Sequence, residues 1–219
     1  ENYKFIDNKS MLTEVNDVGE CISEHKQAQL VDMVGSLSKT ANVLVISGSL
    51  PQGVESSYYA KLFGVVSPTT LKIADTEGDK LLAALSTGLD LVKPNKDELQ
   101  NTLRREFKTR DDLLKGCYAL LDKGAKRVMV SLGKRGALIT DGSKNYYCKS
   151  INVAINSTVG AGDGMVAAAA LMLEQGAPLD EILRAGVAAG TATVTTFGQI
   201  SFTKEKYDEI YANIVVEEV

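Results

Sequence analysis

The sequence predicts an α/β fold in which a mostly parallel sheet is covered by helices on both faces. Short apolar runs recur along the chain, as at residues 43–47 and 127–131, and such runs are typical of strands buried on both faces. Segments of helical length and periodicity separate these runs, and alternating strands and helices indicate a parallel sheet. The 219 residues, 44% of them hydrophobic, suffice for one domain with a substantial core.

The N-terminal segment has a different pattern. Residues 3–7 and 11–16 flank a turn at Asn8-Lys9-Ser10, and their alternation predicts a β-hairpin. We therefore divide the chain into a hairpin unit, residues 1–22, and an α/β body, residues 23–219.

Strands and helices alternate through most of the body. The predicted strands are residues 43–47, 71–75, 89–92, 127–131, 137–140 and 145–148. The predicted helices are residues 24–38, 55–66, 77–86, 96–105, 110–123, 163–175, 179–196 and 204–215. Ligands of such sheets lie beyond the carboxyl ends of the strands, so the loops that follow strands are the candidates for a site.

Composition and charge exclude several classes of function. A formal charge of −4 argues against nucleic acid or an anionic membrane as the main partner, although a local cluster of donors can still bind a phosphorylated substrate. No apolar run approaches the ~20 residues of a membrane helix. Three scattered cysteines without a CxxC pair predict reduced thiols in a cytoplasmic protein rather than disulfides or a zinc site.

Two further patterns argue against particular catalytic mechanisms. The single histidine, His25, begins a polar helix and is interpreted as a solvated residue, so hydrolysis by a Ser/His/Asp triad has little support. The chain has no Gly-x-x-x-x-Gly-Lys-Ser/Thr motif, which excludes a P-loop mechanism.

The strongest candidate site is the run Gly160-Ala161-Gly162-Asp163, which leads into an alanine-rich helix. The free N–H groups and positive dipole end of such a helix can hold an anion, and glycines allow it to approach closely. A carboxylate in the first turn can also accept a proton from a hydroxyl. The residues alone leave a second interpretation open, in which Asp163 only caps the helix.

A second candidate is Lys93-Pro94-Asn95, which follows a strand, with Glu98 three residues further on. Amide and carboxylate oxygens on one side of a helix start suit Mg²⁺, held directly or through water. The same two residues also match a capping box, with Asn95 as N-cap, and the pattern alone favours that simpler interpretation.

Two glycine-containing loops follow other strands. The loop with Ser131, Gly133 and Gly136 permits a tight turn beside a nucleotide phosphate, although a hairpin entry has the same pattern. The loop with Gly48 and Ser49 could contact a sugar phosphate, but it is also a common type of loop.

Together and in this order, the four segments resemble those of the PfkB, or ribokinase-like, carbohydrate kinases, over essentially the whole chain. Ser-Gly-Ser-Leu-Pro at 47–51 and the segments at 92–98 and 131–133 resemble the subgroup that acts on phosphorylated ketohexoses. Thr13-Glu14-Val15-Asn16 and Ser157-Thr158-Val159 favour 1-phosphofructokinase within it.

The resemblance implies a function and cofactors. It implies a ribokinase-like fold and ATP-dependent transfer of the γ-phosphate, with Mg²⁺, most closely to fructose 1-phosphate. Alternatives are a tagatose-6-phosphate kinase, a 6-phosphofructokinase, a kinase for another sugar or nucleoside, or a nucleotide-binding fragment without activity. The hairpin would be the remnant of a small β lid, through which two copies could form a homodimer.

The resemblance also assigns roles to residues, one by one. Asp163 matches the catalytic base, which contacts the substrate, and the amides of Gly160, Ala161 and Gly162 match the anion hole. Asn95 and Glu98 match the motif that organises Mg²⁺ and phosphate. The remaining matches are Ser131, Gly133 and Gly136 to the ATP loop, Lys93 to a position beside the nucleotide phosphates, and Ser49 to a contact with the substrate's phosphate.

Two departures from the family pattern are evident. The chain begins at Glu1 without Met, and the family's N-terminal part, including the first strands of the sheet and most sugar-binding residues, is missing. We therefore expect an unpaired sheet edge, exposed apolar surface and poor stability of the isolated chain. Many members have Asp where Ser157 stands, so no monovalent-cation site is assigned.

Overall fold

A computed structural model describes residues 2–6, 12–16, 19–196 and 202–219, which form nine strands and eight helices. The strands are β1 (Asn2–Ile6), β2 (Leu12–Asn16), β3 (Val43–Ser47), β4 (Leu71–Asp75), β5 (Leu91–Val92), β6 (Val128–Ser131), β7 (Ala137–Thr140), β8 (Asn145–Cys148) and β9 (Val216–Glu218). The helices are α1 (Glu24–Leu37), α2 (Tyr58–Gly64), α3 (Gly78–Leu85), α4 (Lys96–Leu103), α5 (Arg110–Leu121), α6 (Ala161–Glu174), α7 (Leu179–Val194) and α8 (Lys204–Asn213).

Seven of these strands form one sheet in the order β3-β4-β5-β6-β7-β8-β9. The strands β3 to β6 are parallel neighbours, and β7, β8 and β9 continue the sheet with antiparallel pairings. Five strands therefore run in one direction, which confirms the mostly parallel sheet. The edge strand β9 was not predicted, because the short segment Val216-Glu217-Glu218 carries no strand pattern.

Helices cover the sheet on two faces, as the sequence predicts. On β4, Ile73 packs in a core with α6, α7 and α8, whereas its neighbour Ala74 packs in a core with α2 to α5. On β5, Leu91 and Val92 divide between the same two cores. Adjacent strand residues point to opposite faces, so an uninterrupted apolar run is what a sheet buried on both sides requires.

Helix α1 does not take part in this burial. It has no buried residue, and Leu30, Met33 and Leu37 are 43%, 56% and 61% exposed. The strand β3 is a terminal strand of the described sheet, and its Val45 is 39% exposed. This matches the unpaired edge and the apolar surface expected from the sequence. The prediction that residues 43–47 are buried on both faces is therefore wrong, since no residue of β3 is buried.

The N-terminal hairpin is confirmed as a separate two-stranded sheet. The strands β1 and β2 pair antiparallel, from Asn2 with Asn16 to Ile6 with Leu12. The predicted turn at residues 8–10 lies outside the described residues.

Some boundaries differ from those predicted. Helix α6 begins at Ala161 rather than at residue 163, and α2 begins three residues later than residue 55. The predicted strand 89–92 is reduced to β5, because Leu89 forms only an isolated bridge with Ala125.

The three thiols are free, as predicted. Cys117 and Cys148 are buried, and burial raises the pKa of each to about 12, whereas Cys21 is exposed. Among the described residues, no helix is both long and apolar enough to cross a bilayer.

Candidate active site

The loops that follow the parallel strands meet at one edge of the sheet. The N–H of Gly48 donates to the carbonyl of Asp75 at 3.1 Å, and the N–H of Lys93 donates to the carbonyl of Ala74 at 3.1 Å. The N–H of Ser131 donates to the carbonyl of Pro94, also at 3.1 Å. The structure thus brings together three loops that the sequence singled out separately.

Asp163 occupies the first turn of α6 but does not cap it. The N-cap is Gly160, whose φ of 79° lies in the left-handed region that favours glycine. Asp163 is the third helical residue and is exposed, and its side chain makes no hydrogen bond or ion pair with any residue the structure describes. The interpretation that Asp163 caps the helix is therefore wrong, and its carboxylate lies at the start of α6 without a partner among the described residues.

The predicted anion hole coincides with this helix start. The N–H groups of the first turn of a helix have no partner within the helix, and the dipole makes this end positive. Of the three predicted residues, Ala161 has an internal partner, since its N–H donates to the carbonyl of Thr158 at 3.4 Å. The end of α6 retains the positive character that an anion requires.

Lys93 reaches the same helix start from β5. Its side chain is 4% exposed, and its Nζ lies 3.1 Å from Oδ1 of Asp75. A Cβ atom built on Gly162 would lie 3.4 Å from this Nζ, which places the ammonium against the first turn of α6. The sequence prediction for Lys93, a position beside phosphates, is compatible with this placement.

Asp75 is a member of the site that the sequence analysis missed. Burial raises the pKa of its carboxyl, the charge and hydrogen bond of Lys93 oppose that rise, and the negative charge of Asp163 adds to it. Asp75 is the last residue of β4, so its position at a strand end was the available signal. The sequence patterns did not single out Asp75, because the residues that follow it are not rich in glycine.

Asn95 and Glu98 form a complete capping box at the start of α4. Oδ1 of Asn95 accepts from the N–H of Glu98 at 2.9 Å, and the N–H of Asn95 donates to Oε2 of Glu98 at 2.7 Å. Burial raises the pKa of Glu98, while the Asn95 N–H and Lys93 oppose that rise. The pair therefore forms the helix cap that the simpler interpretation predicts. The binding of Mg²⁺ by the same two residues remains a prediction.

The described part of the chain has no set of three or more His, Cys, Asp or Glu side chains placed to hold a metal ion. A Mg²⁺ ion at Asn95 and Glu98 would have to keep water or phosphate oxygens, as this ion commonly does.

The loop after β6 forms a tight turn. The N–H of Leu132 donates to the carbonyl of Gly136 at 2.8 Å, and the N–H of Gly136 donates to the carbonyl of Gly133 at 2.9 Å. A Cβ atom on Gly136 would lie 1.8 Å from the carbonyl oxygen of Cys148, and its φ is 95°. Only glycine fits at this position, which fixes the loop against β8.

A cavity of about 250 Å³ lies between this loop and the start of α6. Ser131, Gly133 and Gly136 line it together with Ala161 and Gly162, so two predicted segments face one space. Its other walls are mostly apolar and come from residues 151–153, from Ile155 and from α7, including Val187 and Val194. Sequence reasoning missed these walls, because an apolar residue that lines a cavity has the same pattern as one that fills a core.

Asp163 faces a second and larger cavity. This cavity, of about 930 Å³, is lined by Val159, Gly160 and Asp163, by one side of α6, and by Tyr207 of α8. The glycine turn therefore separates the two cavities, with Ala161 and Gly162 on one side and Asp163 on the other.

Ser49 is exposed, in a loop whose position is fixed. The carbonyl of Gly48 accepts from the hydroxyl of Tyr59 at 3.0 Å and from that of Thr76 at 2.9 Å. The pKa of Tyr59 is raised, chiefly by burial. These contacts hold the loop beside Asp75, while no measured contact joins Ser49 itself to Asp163.

Comparison with known proteins decides the family. A profile described as pfkB family carbohydrate kinase matches residues 2–206. The chain belongs to the pfkB family of carbohydrate kinases. This confirms the resemblance inferred from the four sequence segments.

Relatives within the pfkB family include phosphofructokinases of two kinds. The ATP-dependent 6-phosphofructokinase isozyme 2 of Escherichia coli is 39% identical over 197 residues, which cover 89% of this chain and 63% of the relative. The 1-phosphofructokinase of Borreliella burgdorferi is 31% identical over 209 residues, which cover 94% and 67%. The chain thus spans less than two thirds of the length of the Escherichia coli protein.

The fold of this pfkB member matches a solved relative. The crystal structure of Escherichia coli phosphofructokinase-2 in complex with potassium superposes with a TM-score of 0.85 at 37% identity. The match covers 93% of this chain and 67% of that chain. The ribokinase-like fold class is thereby confirmed.

Proposed function

We propose that this chain is the nucleotide-binding and catalytic part of an ATP-dependent kinase that phosphorylates a phosphorylated ketohexose. The observation that carries the proposal is the free carboxylate of Asp163 in the first turn of α6. This turn separates two cavities, and its Gly162 lies against the Lys93 ammonium. Phosphoryl transfer needs mainly positioning and stabilisation of negative charge, and these groups can supply both.

In this proposal ATP occupies the smaller cavity. Apolar walls suit a flat nucleobase, and the glycine loop at Ser131, Gly133 and Gly136 lets phosphate groups approach the backbone. The phosphate chain would point at the glycine turn of Gly160, Ala161 and Gly162, with Lys93 beside it, and the Ala161 N–H would have to release the carbonyl of Thr158 to take part. Lys93 and the positive end of α6 would then stabilise charge as it shifts toward the departing ADP.

The sugar phosphate occupies the larger cavity, on the Asp163 side. The Asp163 carboxylate accepts the proton of the attacking hydroxyl, whose oxygen forms a bond to the γ-phosphorus as the bond to ADP breaks. Ser49 would contact the phosphate that the sugar already carries.

The donor set at Asn95 and Glu98 fits Mg²⁺, since both residues offer oxygen atoms and the site is half-buried. When bound, Mg²⁺ supplies positive charge to the phosphate oxygens. Of the two residues, Glu98 would contribute charge, whereas Asn95 would mainly orient Glu98 through the capping box.

The β1–β2 hairpin is proposed as part of a lid over the sugar. A two-stranded hairpin is marginally stable by itself in water, so it needs a partner surface, and a second copy of the chain would provide one. We therefore propose a homodimer through the lid. Free, buried thiols fit a reducing compartment such as the cytoplasm.

The test is a coupled assay of ADP release with fructose 1-phosphate, fructose 6-phosphate, tagatose 6-phosphate and ribose as acceptors. We expect fructose 1-phosphate to give the highest kcat/KM, with fructose 6-phosphate as the alternative, since relatives of both activities are similar to this chain. No product from any of the three phosphorylated sugars would contradict the proposal and favour a nucleotide-binding fragment without activity.

A further inference from the structure

Asp75 and Lys93 form an ion pair at the centre of the site, and the proposed function gives a role only to Lys93. The pair joins the ends of two neighbouring parallel strands, and the N–H of Lys93 is held by the carbonyl of Ala74. Asp75 in turn accepts, through its carbonyl, from the N–H of Gly48 in the loop that contains Ser49. Asp75 therefore contacts both the Lys93 side chain and the loop proposed to bind sugar phosphate.

The surroundings of Lys93 make a partner necessary. Its ammonium is almost fully buried and lies against the first turn of α6, which is the positive end of that helix. A buried cation beside a positive helix end is unfavourable unless an anion neutralises it. Among the described residues, Asp75 is the one carboxylate in ion-pair contact with this ammonium.

An ammonium has three N–H donors, and this pair uses one side of it. The remaining donors can still bind a phosphate oxygen held by the amides at Gly162. A lysine side chain has several rotatable bonds, so a fixed carboxylate at 3.1 Å removes much of the freedom that binding a phosphate would otherwise cost.

We propose that Asp75 is a positioning residue that holds the Lys93 ammonium at the start of α6, where it contacts the nucleotide phosphates. Asp75 acts through Lys93 and does not itself touch the reacting atoms. This inference rests on the proposed function, because the phosphates that Lys93 binds are those of ATP.

The chain offers a matched control for the loss of this carboxylate. Asp90 is buried to a similar degree, and its Oδ1 lies 2.8 Å from Nζ of Lys126. Its Oδ2 accepts from the N–H of Lys72. Asp90 precedes β5 whereas Lys93 follows it, so the two ion pairs lie at opposite ends of the sheet.

The test is a double-variant cycle on the purified protein, with ATP affinity from calorimetry, kcat from the coupled assay and Tm from thermal unfolding. Asp75→Asn should lower kcat at least tenfold and weaken ATP binding at least fivefold. Lys93→Met should do at least as much, and the double variant should be no worse than Lys93→Met alone. Asp75→Glu should recover part of the loss.

The control variant separates positioning from stability. Asp90→Asn should lower Tm, as Asp75→Asn does, but leave kcat and ATP affinity within twofold of the wild type. Asp75→Asn leaves the buried Lys93 ammonium without its partner, which disfavours folding. The double variant removes both charges, so it contains no unpaired buried ammonium and serves as the control for misfolding.

Two results would overturn the role of Asp75. The first is an Asp75→Asn protein whose ATP affinity and kcat stay within twofold of the wild type. The second is a double variant at least tenfold weaker than Lys93→Met, which would mean that Asp75 acts independently of Lys93. If the wild type transfers no phosphate, the proposed function fails, but the ATP affinities of the four proteins still decide the role of Asp75.

Discussion

At the scale of single residues, the site depends on which carboxylates are engaged and which are free. Asp75 and Glu98 are partly buried and each has a defined partner, whereas Asp163 has none in the described structure. A carboxylate that caps a helix or pairs with a cation is a poor base, because its lone pairs are already used. The free state of Asp163 is what makes it the best candidate for the proton acceptor.

The Asp163→Asn variant tests this assignment. Asparagine keeps the shape of the side chain but cannot take up the proton of the attacking hydroxyl, so we expect turnover to fall by ~10²–10⁴-fold. ATP affinity should change little, because the amides and Lys93 remain. The coupled assay and calorimetry on the same preparations measure the two quantities.

Asp180 provides the control, since it is also an acidic residue in the first turn of a helix, α7. Asp180→Asn should lose a similar favourable interaction with its helix dipole, about 0.3–1 kcal/mol, without loss of turnover. Turnover of Asp163→Asn near the wild-type level would show that another group accepts the proton.

At the scale of elements, the start of α4 has a structural role and a proposed chemical role at once. The capping box of Asn95 and Glu98 satisfies backbone N–H groups, as does the box of Thr109 and Asp112 at the start of α5. What distinguishes the first box is its surroundings, because Glu98 is half-buried and lies within the electrostatic reach of Lys93, Asp75 and Glu77.

The Glu98→Gln variant separates the two roles. The amide oxygen of glutamine can still accept from the N–H of Asn95, so the cap and the stability should persist. Loss of the negative charge should raise the Mg²⁺ concentration needed for half-maximal activity at least tenfold. Asp112→Asn in the other box should leave the Mg²⁺ requirement unchanged.

The pH dependence of the Mg²⁺ requirement follows from the pKa of Glu98. Burial raises this pKa, so the carboxylate takes up a proton at a higher pH than an ordinary glutamate does. As the pH falls, Mg²⁺ binding should therefore weaken earlier than for an exposed carboxylate, and the Gln variant should lose this dependence. An identical profile in both proteins would place the metal elsewhere.

The helices and strands also show what sequence patterns can predict. The strands at 43–47, 71–75, 137–140 and 145–148 were predicted with their observed limits, because an apolar run or hairpin alternation leaves a direct mark on the sequence. The burial predicted for 43–47 was wrong, since no residue of β3 is buried. The strand β9 was missed, because its pairing depends on β8, which is distant in sequence. Asp75 and the apolar cavity walls were missed for a related reason, since their importance comes from neighbours on other elements.

At the scale of the whole molecule, the chain exposes more surface than a compact protein of its size. Its accessible surface is 12246 Å², whereas a compact monomer of 23.5 kDa is expected to expose roughly 9,800 Å². The exposed apolar residues of α1 and the terminal strand β3 contribute to this excess. Apolar surface of this kind is suited to burial against another protein surface, such as a second copy of the chain.

The exposed apolar surface leads to a prediction about how the 219-residue chain behaves in solution. Exposed apolar side chains beside a strand edge favour self-association, so we expect concentration-dependent light scattering and irreversible thermal unfolding. Replacing Met33 and Leu37 with lysine should reduce the scattering, because these residues are 56% and 61% exposed and contribute little to the core. Gln29→Lys on the same helix adds charge without removing apolar surface and should help less. A monodisperse wild-type chain with a reversible, cooperative melt would mean that the α1 face and the edge of β3 are stable in water without a partner.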